Sequence, residues 1–112
     1  EIGVRLVGSE MCIRDSFITI QKKFGYMDIA LIPIGAYAPR WFMKDHHCNV
    51  EEAIQIHKDI QSKKSIAMHW GTFQLTDEPM DEPPKLLKSL SSKNNLLNDE
   101  FIAMKHGETK II

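Results

Sequence analysis

A chain of 112 residues is long enough for one small domain, or for part of a larger one. Its hydrophobic fraction of 43% and charged fraction of 26% are ordinary for a globular protein, and a formal net charge of -1 argues against a broad nucleic-acid-binding surface. No apolar run approaches the roughly 20 residues of a membrane-spanning helix, so we expect any membrane contact to be peripheral. Cys12 and Cys48 form neither a disulfide framework nor a Cys-x-x-Cys pair, which favours an intracellular, reducing compartment.

The first 16 residues differ in character from everything that follows. They resemble a translated adapter sequence of the kind found at the ends of assembled transcripts, and we interpret them as non-native. The alternative is a genuine strand and turn at residues 4–9. Residues 17–24 then carry apolar side chains and late lysines, with Gly25 immediately beyond, which predicts the tail of a helix.

Two apolar runs, residues 27–34 and 65–68, predict strands. The first is almost continuously apolar and ends near Pro33, which predicts a strand buried on both faces. A helix between two strands implies a right-handed crossover and a parallel pair. Gly35 and His69, which follow the two strands, should therefore lie at the same edge of the sheet.

The helix between these strands is predicted from its first turn onward. Asn49 and Glu52 have the spacing of a capping box, in which each side chain accepts from the other residue's backbone amide. One helix face should be buried, and its members are Val50, Ala53, Ile54, His57 and Ile60. We interpret His57 as a packed histidine at the edge of the core rather than as a catalytic group.

Residues 38–49 read as a loop dense in aromatic and polar side chains. Such a mixture predicts a pocket wall. The alternative is a packing motif in which Arg40 stacks on Trp41, and the two interpretations are compatible with each other. Adjacent side chains usually point apart, so His46 and His47 alone should not form a metal site.

The C-terminal third contains an acidic segment at residues 76–82, whose carboxylates could serve either as metal ligands or as a solvated loop that caps the next helix. We favour the solvated loop. Pro83 and Pro84 suit the first turn of that helix. Residues 101–104 predict a short closing strand, and His106 follows it.

His69 is the residue around which a site can be built. It ends an apolar strand and is followed at once by a Trp-Gly-Thr turn. A histidine at a strand end is a candidate metal ligand or acid–base group, although a lone histidine is more often simply packed.

Several unusual words accompany His69 in one order and spacing. They are Ile-Gly-Ala-Tyr (34–37), Pro-Arg-Trp-Phe-Met-Lys (39–44), His47, Glu-Glu-Ala (51–53), His57, His-Trp-Gly-Thr-Phe (69–73) and Glu-Pro-Pro (82–84). Together, residues 17–110 resemble the C-terminal part of the N-acyl-phosphatidylethanolamine-hydrolysing phospholipases D, which are metallo-β-lactamase-fold hydrolases. The resemblance implies an α/β fold in which residues 17–112 form the C-terminal part of an αββα sandwich, incomplete in this chain.

The resemblance also implies a site that holds two Zn²⁺ ions. His69 maps onto one metal ligand, whereas the family's His-x-His-x-Asp-His cluster, a further His and a bridging Asp have no match here. His47 maps onto a histidine that contacts the substrate phosphodiester, and His106 onto a residue at the pocket mouth. Asp45 and His46 depart from the family pattern beside His47.

The reaction implied for the complete protein is hydrolysis of N-acyl-phosphatidylethanolamine to an N-acylethanolamine and phosphatidic acid. It implies a phospholipid substrate, a cytoplasmic location with peripheral membrane association, and no nucleic-acid partner, and it leaves a homodimer open. With one ligand of a site that needs three or four, the chain alone should be inactive. The alternatives are a related hydrolase of a soluble phosphoester or lactone, and a non-catalytic fragment or binding domain.

Overall fold

The computed structural model describes residues 10–43 and 46–112, with side chains from residue 15 onward. Its helices and strands alternate along most of the chain. In order they are α1 (Glu10–Phe24), β1 (Met27–Pro33), α2 (Arg40–Met43), α3 (Val50–Asp59), β2 (Ser62–Met68), α4 (Glu82–Lys93) and β3 (Phe101–Ile102). The alternative strand at residues 4–9 lies outside the described residues, and so does Asp45.

The three strands form one parallel sheet in the order β1-β2-β3. Leu31 of β1 pairs with Ile66 of β2, which in turn pairs with Ile102 of β3. The parallel pairing of β1 with β2 through α3 confirms the predicted crossover. The closing strand is shorter than the predicted 101–104, since it ends at Ile102.

The core lies between the sheet and its helices. Helix α3 contacts both long strands and both of the helices α1 and α4. Its Ala53 and Ile54 are buried against Ile32 and Ile34 at the end of β1, and Leu87 of α4 joins them. Burying an isoleucine or leucine side chain contributes roughly 1.5–3 kcal/mol. Because α3 contacts both long strands and two helices, it is the central element of this half-sandwich.

The predicted burial of β1 on both faces is wrong. The side chains of Ile29 and Leu31 are 43% and 64% exposed, whereas Ile32 is buried. Successive strand residues point to opposite faces, and among the described residues the helices cover only one of them. Strand β1 therefore has one buried and one open face. The apolar side chains of Ile29 and Leu31 on the open face fit a sheet that a further layer covers, as in an incomplete sandwich.

The helix predicted to end at Gly25 is confirmed. Gly25 adopts φ +79° and its amide donates to the Gln21 carbonyl at 2.8 Å, which closes the last turn. Helix α1 begins at Glu10, inside the segment interpreted as non-native. That interpretation of residues 1–16 stays a prediction.

The first turns of α3 and α4 follow the predicted patterns. The Asn49 side chain accepts from the Glu52 amide and the Glu52 side chain accepts from the Asn49 amide, both at 2.9 Å, which confirms the capping box. Helix α4 has Pro83 in its first turn, as predicted.

No helix in the described part of the chain is both long and apolar enough to cross a bilayer.

Candidate functional site

The site is built where β1 and β2 end side by side. The Ile34 amide donates to the Met68 carbonyl at 3.0 Å, which carries the pairing one residue past β1. Gly35 then lies against His69 so closely that a Cβ added at Gly35 would be 2.1 Å from the His69 carbonyl oxygen. The two residues share the edge of the sheet that the crossover predicted, and only glycine fits at position 35.

The ring of His69 faces the ring of His47. The two imidazole centroids are 5.1 Å apart and the ring planes are inclined by 18°. His69 is exposed, adopts φ +61°, and receives no hydrogen bond on its ring nitrogens from any described residue. Its nitrogens are therefore free to bind a ligand or metal that enters from solvent.

His47 is half-buried, and its charge state follows from its surroundings. Burial lowers its pKa below the ordinary value, and the neighbouring His69 and His46 lower it further. The adjacent His46 ring is directed instead toward Phe42, with centroids 6.5 Å apart. The two histidines thus point to different surroundings, and His47 is neutral at neutral pH with one ring N–H to donate.

Arg40 holds the His47 loop in place. Its Nη1 donates to the His47 carbonyl at 2.8 Å, and its Nη2 forms an ion pair with the Glu52 carboxylate. The expectation that Arg40 stacks on Trp41 is wrong, since Trp41 is 78% exposed and contacts Phe42 edge-on. Residues 38–49 are also not wholly a loop, because Arg40 begins the short helix α2. Sequence reasoning missed the pairing of Arg40 with Glu52, twelve residues away.

Cys48, next to His47, is not arranged as a nucleophile. Its Sγ donates to the Pro33 carbonyl at 3.2 Å. Burial raises its pKa to about 11, and the Glu52 carboxylate adds to the shift. The thiol is therefore protonated at neutral pH, which excludes a thiolate–imidazole pair with His47.

His106 lies against the turn that follows His69 rather than in ring contact with it. Its ring is 5.7 Å from the Trp70 ring, and its Nε2 is 3.3 Å from Thr72 Oγ1. Gly71 gives it room, since a Cβ there would be 3.0 Å from His106 Cε1. His106 is exposed and so stands beside the candidate site as a rim residue.

The acidic segment at residues 76–82 is not a merely solvated loop, which corrects the favoured interpretation. Glu78 accepts hydrogen bonds from three successive backbone amides, those of Ala36, Tyr37 and Ala38. Glu82 accepts from the Tyr37 hydroxyl. Burial and this carboxylate both raise the pKa of Tyr37, so the phenol keeps its proton. The segment therefore binds the loop that follows β1.

His57 is buried in the core, as predicted, with 2% of its surface exposed. Its Nδ1 lies 2.7 Å from Ser65 Oγ and its Nε2 lies 2.6 Å from a Glu100 carboxylate oxygen. Both ring nitrogens are thus occupied, in contrast to those of His69. His57 ties α3 to β2 and to the residue that precedes β3.

These side chains fit part of a zinc site and not a whole one. An exposed imidazole at position 69, with no hydrogen bond from the described residues, suits zinc, which takes nitrogen and sulfur ligands. Zinc requires three or four protein ligands, however, and the described residues contain no group of three or more His, Cys, Asp or Glu side chains that could hold a metal ion. A complete zinc site would need further ligands besides the described residues, so no reaction step through a metal is derived from this chain.

Comparison with known proteins gives relatives over most of the chain. It is 45% identical over 94 residues to N-acyl-phosphatidylethanolamine-hydrolyzing phospholipase D 1 of Caenorhabditis elegans, covering 82% of this chain. It is 38% identical over 80 residues to the mitochondrial N-acyl-phosphatidylethanolamine-hydrolyzing phospholipase D of Saccharomyces cerevisiae, covering 70% of this chain. An uncharacterized protein of Mycobacterium tuberculosis is 39% identical over 83 residues, covering 71% of this chain.

The matched chain is short beside these relatives. It spans 26% of the nematode protein, 17% of the yeast protein and 22% of the mycobacterial protein. The resemblance to the N-acyl-phosphatidylethanolamine-hydrolysing enzymes is confirmed at the level of sequence. Residues 14–70, half of the chain, match the model of the beta-lactamase superfamily domain. The parallel sheet, its helical face and this match together show that the chain belongs to the beta-lactamase superfamily.

Proposed function

We propose that the full-length protein is a zinc-dependent phospholipase D-type phosphodiesterase and that this chain forms one wall of its active site. The substrate would be N-acyl-phosphatidylethanolamine, and the products an N-acylethanolamine and phosphatidic acid. The observation that carries the proposal is the meeting of His47 and His69 at the edge where two parallel strands end. The superfamily and the names of two relatives support a hydrolase of this kind.

His69 is the metal ligand in this proposal. Its ring is exposed and free of hydrogen bonds from the described residues, and its main chain is fixed against Gly35. Zinc bound in a hydrolase polarises a phosphoryl oxygen and lowers the pKa of its bound water. The part played by this chain is to hold the imidazole of His69 in one position before the metal binds.

His47 contacts the phosphodiester in this proposal. A neutral imidazole donates one N–H to a phosphoryl oxygen without adding a positive charge beside a metal centre. Burial favours that neutral form, because it lowers the pKa of His47. The hydrogen bond from Arg40 to the His47 carbonyl fixes the loop, so the donor is oriented in advance. His106 would contact the substrate at the rim.

A lipid substrate suits the surface around this edge. Trp41 and Phe42 on α2, and Phe73 and Leu75 after β2, are largely exposed. The Asp77 amide donates to the Ala38 carbonyl at 3.1 Å, so the two segments that carry these side chains adjoin. Exposed apolar groups beside a site favour an apolar ligand and peripheral contact with a membrane.

The test uses purified full-length protein and phospholipid vesicles that contain N-acyl-phosphatidylethanolamine, with products identified by mass spectrometry. We expect zinc-dependent release of N-acylethanolamine and a loss in kcat/KM of about 10²-fold or more for His47→Ala, the scale of one oriented donor. His46→Ala is the matched control and should retain activity. Hydrolysis of a soluble phosphoester or lactone without the lipid would favour a related hydrolase, and equal activity of the two variants would contradict the role of His47.

A further inference from the structure

The carboxylate of Glu78 sits in a cradle of backbone amides. Its Oε2 accepts from the Ala36 amide at 3.0 Å, and its Oε1 accepts from Tyr37 at 3.1 Å and from Ala38 at 2.8 Å. The Thr76 hydroxyl donates to Oε2 as well. Four donors thus converge on one carboxylate, and hydrogen bonds to a charged acceptor are the stronger kind.

The cradle joins the two segments that leave the sheet beside His69. One segment follows β1 and contains Gly35 to Ala38, and the other follows β2 and contains residues 70–81. The link is reinforced on both sides of Glu78, since the Asp77 amide donates to the Ala38 carbonyl and Glu82 accepts from Tyr37. Burial by itself would raise the pKa of Glu78, yet the hydrogen bonds from Thr76 and the backbone amides lower it overall. Glu78 is therefore ionised at neutral pH.

The linked segments enclose a groove that opens onto His69. The groove has a volume of about 190 Å³. Its lining includes Gly35, Ala36 and His69. It also includes three apolar side chains, which form the apolar wall of the groove, namely Phe73, Leu75 and Met80. Those three side chains lie on an irregular segment with no sheet hydrogen bonds. Their position relative to His69 thus depends on what fastens the segment.

We propose that Glu78 is a positioning residue, which fastens residues 72–80 to the amides of residues 36–38 and thereby sets an apolar wall that receives an acyl chain of the substrate. The assignment of the acyl chain rests on the proposed lipid hydrolysis, whereas the fastening itself does not. Glu78 acts through the backbone, and no contact with the reacting atoms is required of it.

Hydrogen–deuterium exchange in the full-length protein tests, without any substrate, whether Glu78 holds residues 72–80 against the backbone amides of residues 36–38. In Glu78→Gln the new amide group cannot accept from all three backbone donors, so Ala36 to Ala38 and residues 72–80 should exchange about tenfold faster or more. Asp81→Asn is the matched control, since Asp81 lies in the same segment and its side chain pairs, in the described part of the chain, with exposed Lys85. Its exchange should match the wild type. Unchanged exchange in Glu78→Gln would overturn the proposal.

Steady-state kinetics test whether the apolar wall of Phe73, Leu75 and Met80 receives an acyl chain of the substrate. For a long-chain N-acyl-phosphatidylethanolamine we expect Glu78→Gln to raise KM about fivefold with kcat within about twofold, because uniform binding is lost while the reacting centre is intact. A short-chain analogue should show a smaller KM effect. Faster exchange with equal KM changes for both chain lengths would overturn the acyl-chain assignment. A wild-type protein that does not hydrolyse the lipid would refute the proposed function, while the exchange experiment would still decide the fastening.

Discussion

Replacing Gly35 with alanine is the sharpest perturbation of the site, because it adds one methyl group against the backbone of His69. The Cβ would be 2.1 Å from the His69 oxygen, 3.1 Å from its carbonyl carbon and 3.2 Å from the Trp70 Cα. Ordinary contact begins at 3.4 Å. All three atoms are main-chain atoms, which cannot rotate aside as a flexible side chain would. The variant can be relieved only if the strand ends separate.

The expected losses of stability and of kcat/KM both follow from the short distance between the new Cβ and the His69 oxygen. The clash is about 1 Å inside van der Waals contact, and overpacking of this kind costs roughly 1–3 kcal/mol of unfolding free energy. Relief moves the His69 backbone by a similar distance, and a displacement of about 1 Å at a reacting centre lowers the rate by about 10²-fold. We therefore expect Gly35→Ala to lose both stability and kcat/KM.

The assay is urea unfolding followed by N-acyl-phosphatidylethanolamine hydrolysis, both on the full-length protein. Gly25→Ala is the matched control. Gly25 adopts φ +79° with nothing within 4 Å of a new Cβ, so alanine there costs about 1–2 kcal/mol of backbone strain far from the site. The control should lose stability and keep its activity. A Gly35→Ala protein with wild-type stability and with kcat/KM within about twofold of the wild type would show that the methyl group does not displace the His69 backbone.

Two further changes probe the scaffold behind the site. Glu100→Gln removes a charged partner of the buried His57 ring, so urea unfolding should show a loss of about 1.5–3 kcal/mol, and a loss under about 0.5 kcal/mol would contradict that role. Burial alone would raise the pKa of Glu100, but the hydrogen bond from His57 lowers it overall. The stabilisation by Glu100 is therefore fully present above pH 4.5, the ordinary pKa of a glutamate, and is lost as the pH falls through the lower pKa of the folded state. If the free energy of unfolding of Glu100→Gln fell with pH just as that of the wild type does, this role would be contradicted. Asn49→Ala removes half of the capping box and should cost about 1 kcal/mol by the same assay, with Glu51→Gln as a control that leaves the box intact.

Local patterns were sufficient where the signal is local. Asn49 and Glu52 are three residues apart, and their capping box was predicted from spacing alone. Gly25 after a pair of lysines predicted the end of α1. The strand–helix–strand order predicted the parallel pair, and with it the proximity of Gly35 to His69.

Long-range contacts had no comparable signal. Glu78 reaches amides 40 to 42 residues away, and every residue except proline carries such a donor, so no side-chain pattern marks the partner. Arg40 and Glu52 form an ion pair across a loop whose path the sequence does not specify. The exposure of Ile29 and Leu31 depends on what covers the second face of the sheet, which a strand's own residues do not encode.

The zinc content of the purified full-length protein and of two single variants tests whether His69 is a metal ligand. His69 is exposed and free of hydrogen bonds from the described residues, whereas the neighbouring His46 faces Phe42. We expect His69→Asn to lower the zinc-to-protein ratio while its circular dichroism spectrum is unchanged, and His46→Asn to keep the wild-type ratio. An undiminished ratio in His69→Asn, or a wild-type protein without bound zinc, would contradict the assignment of His69 as a metal ligand.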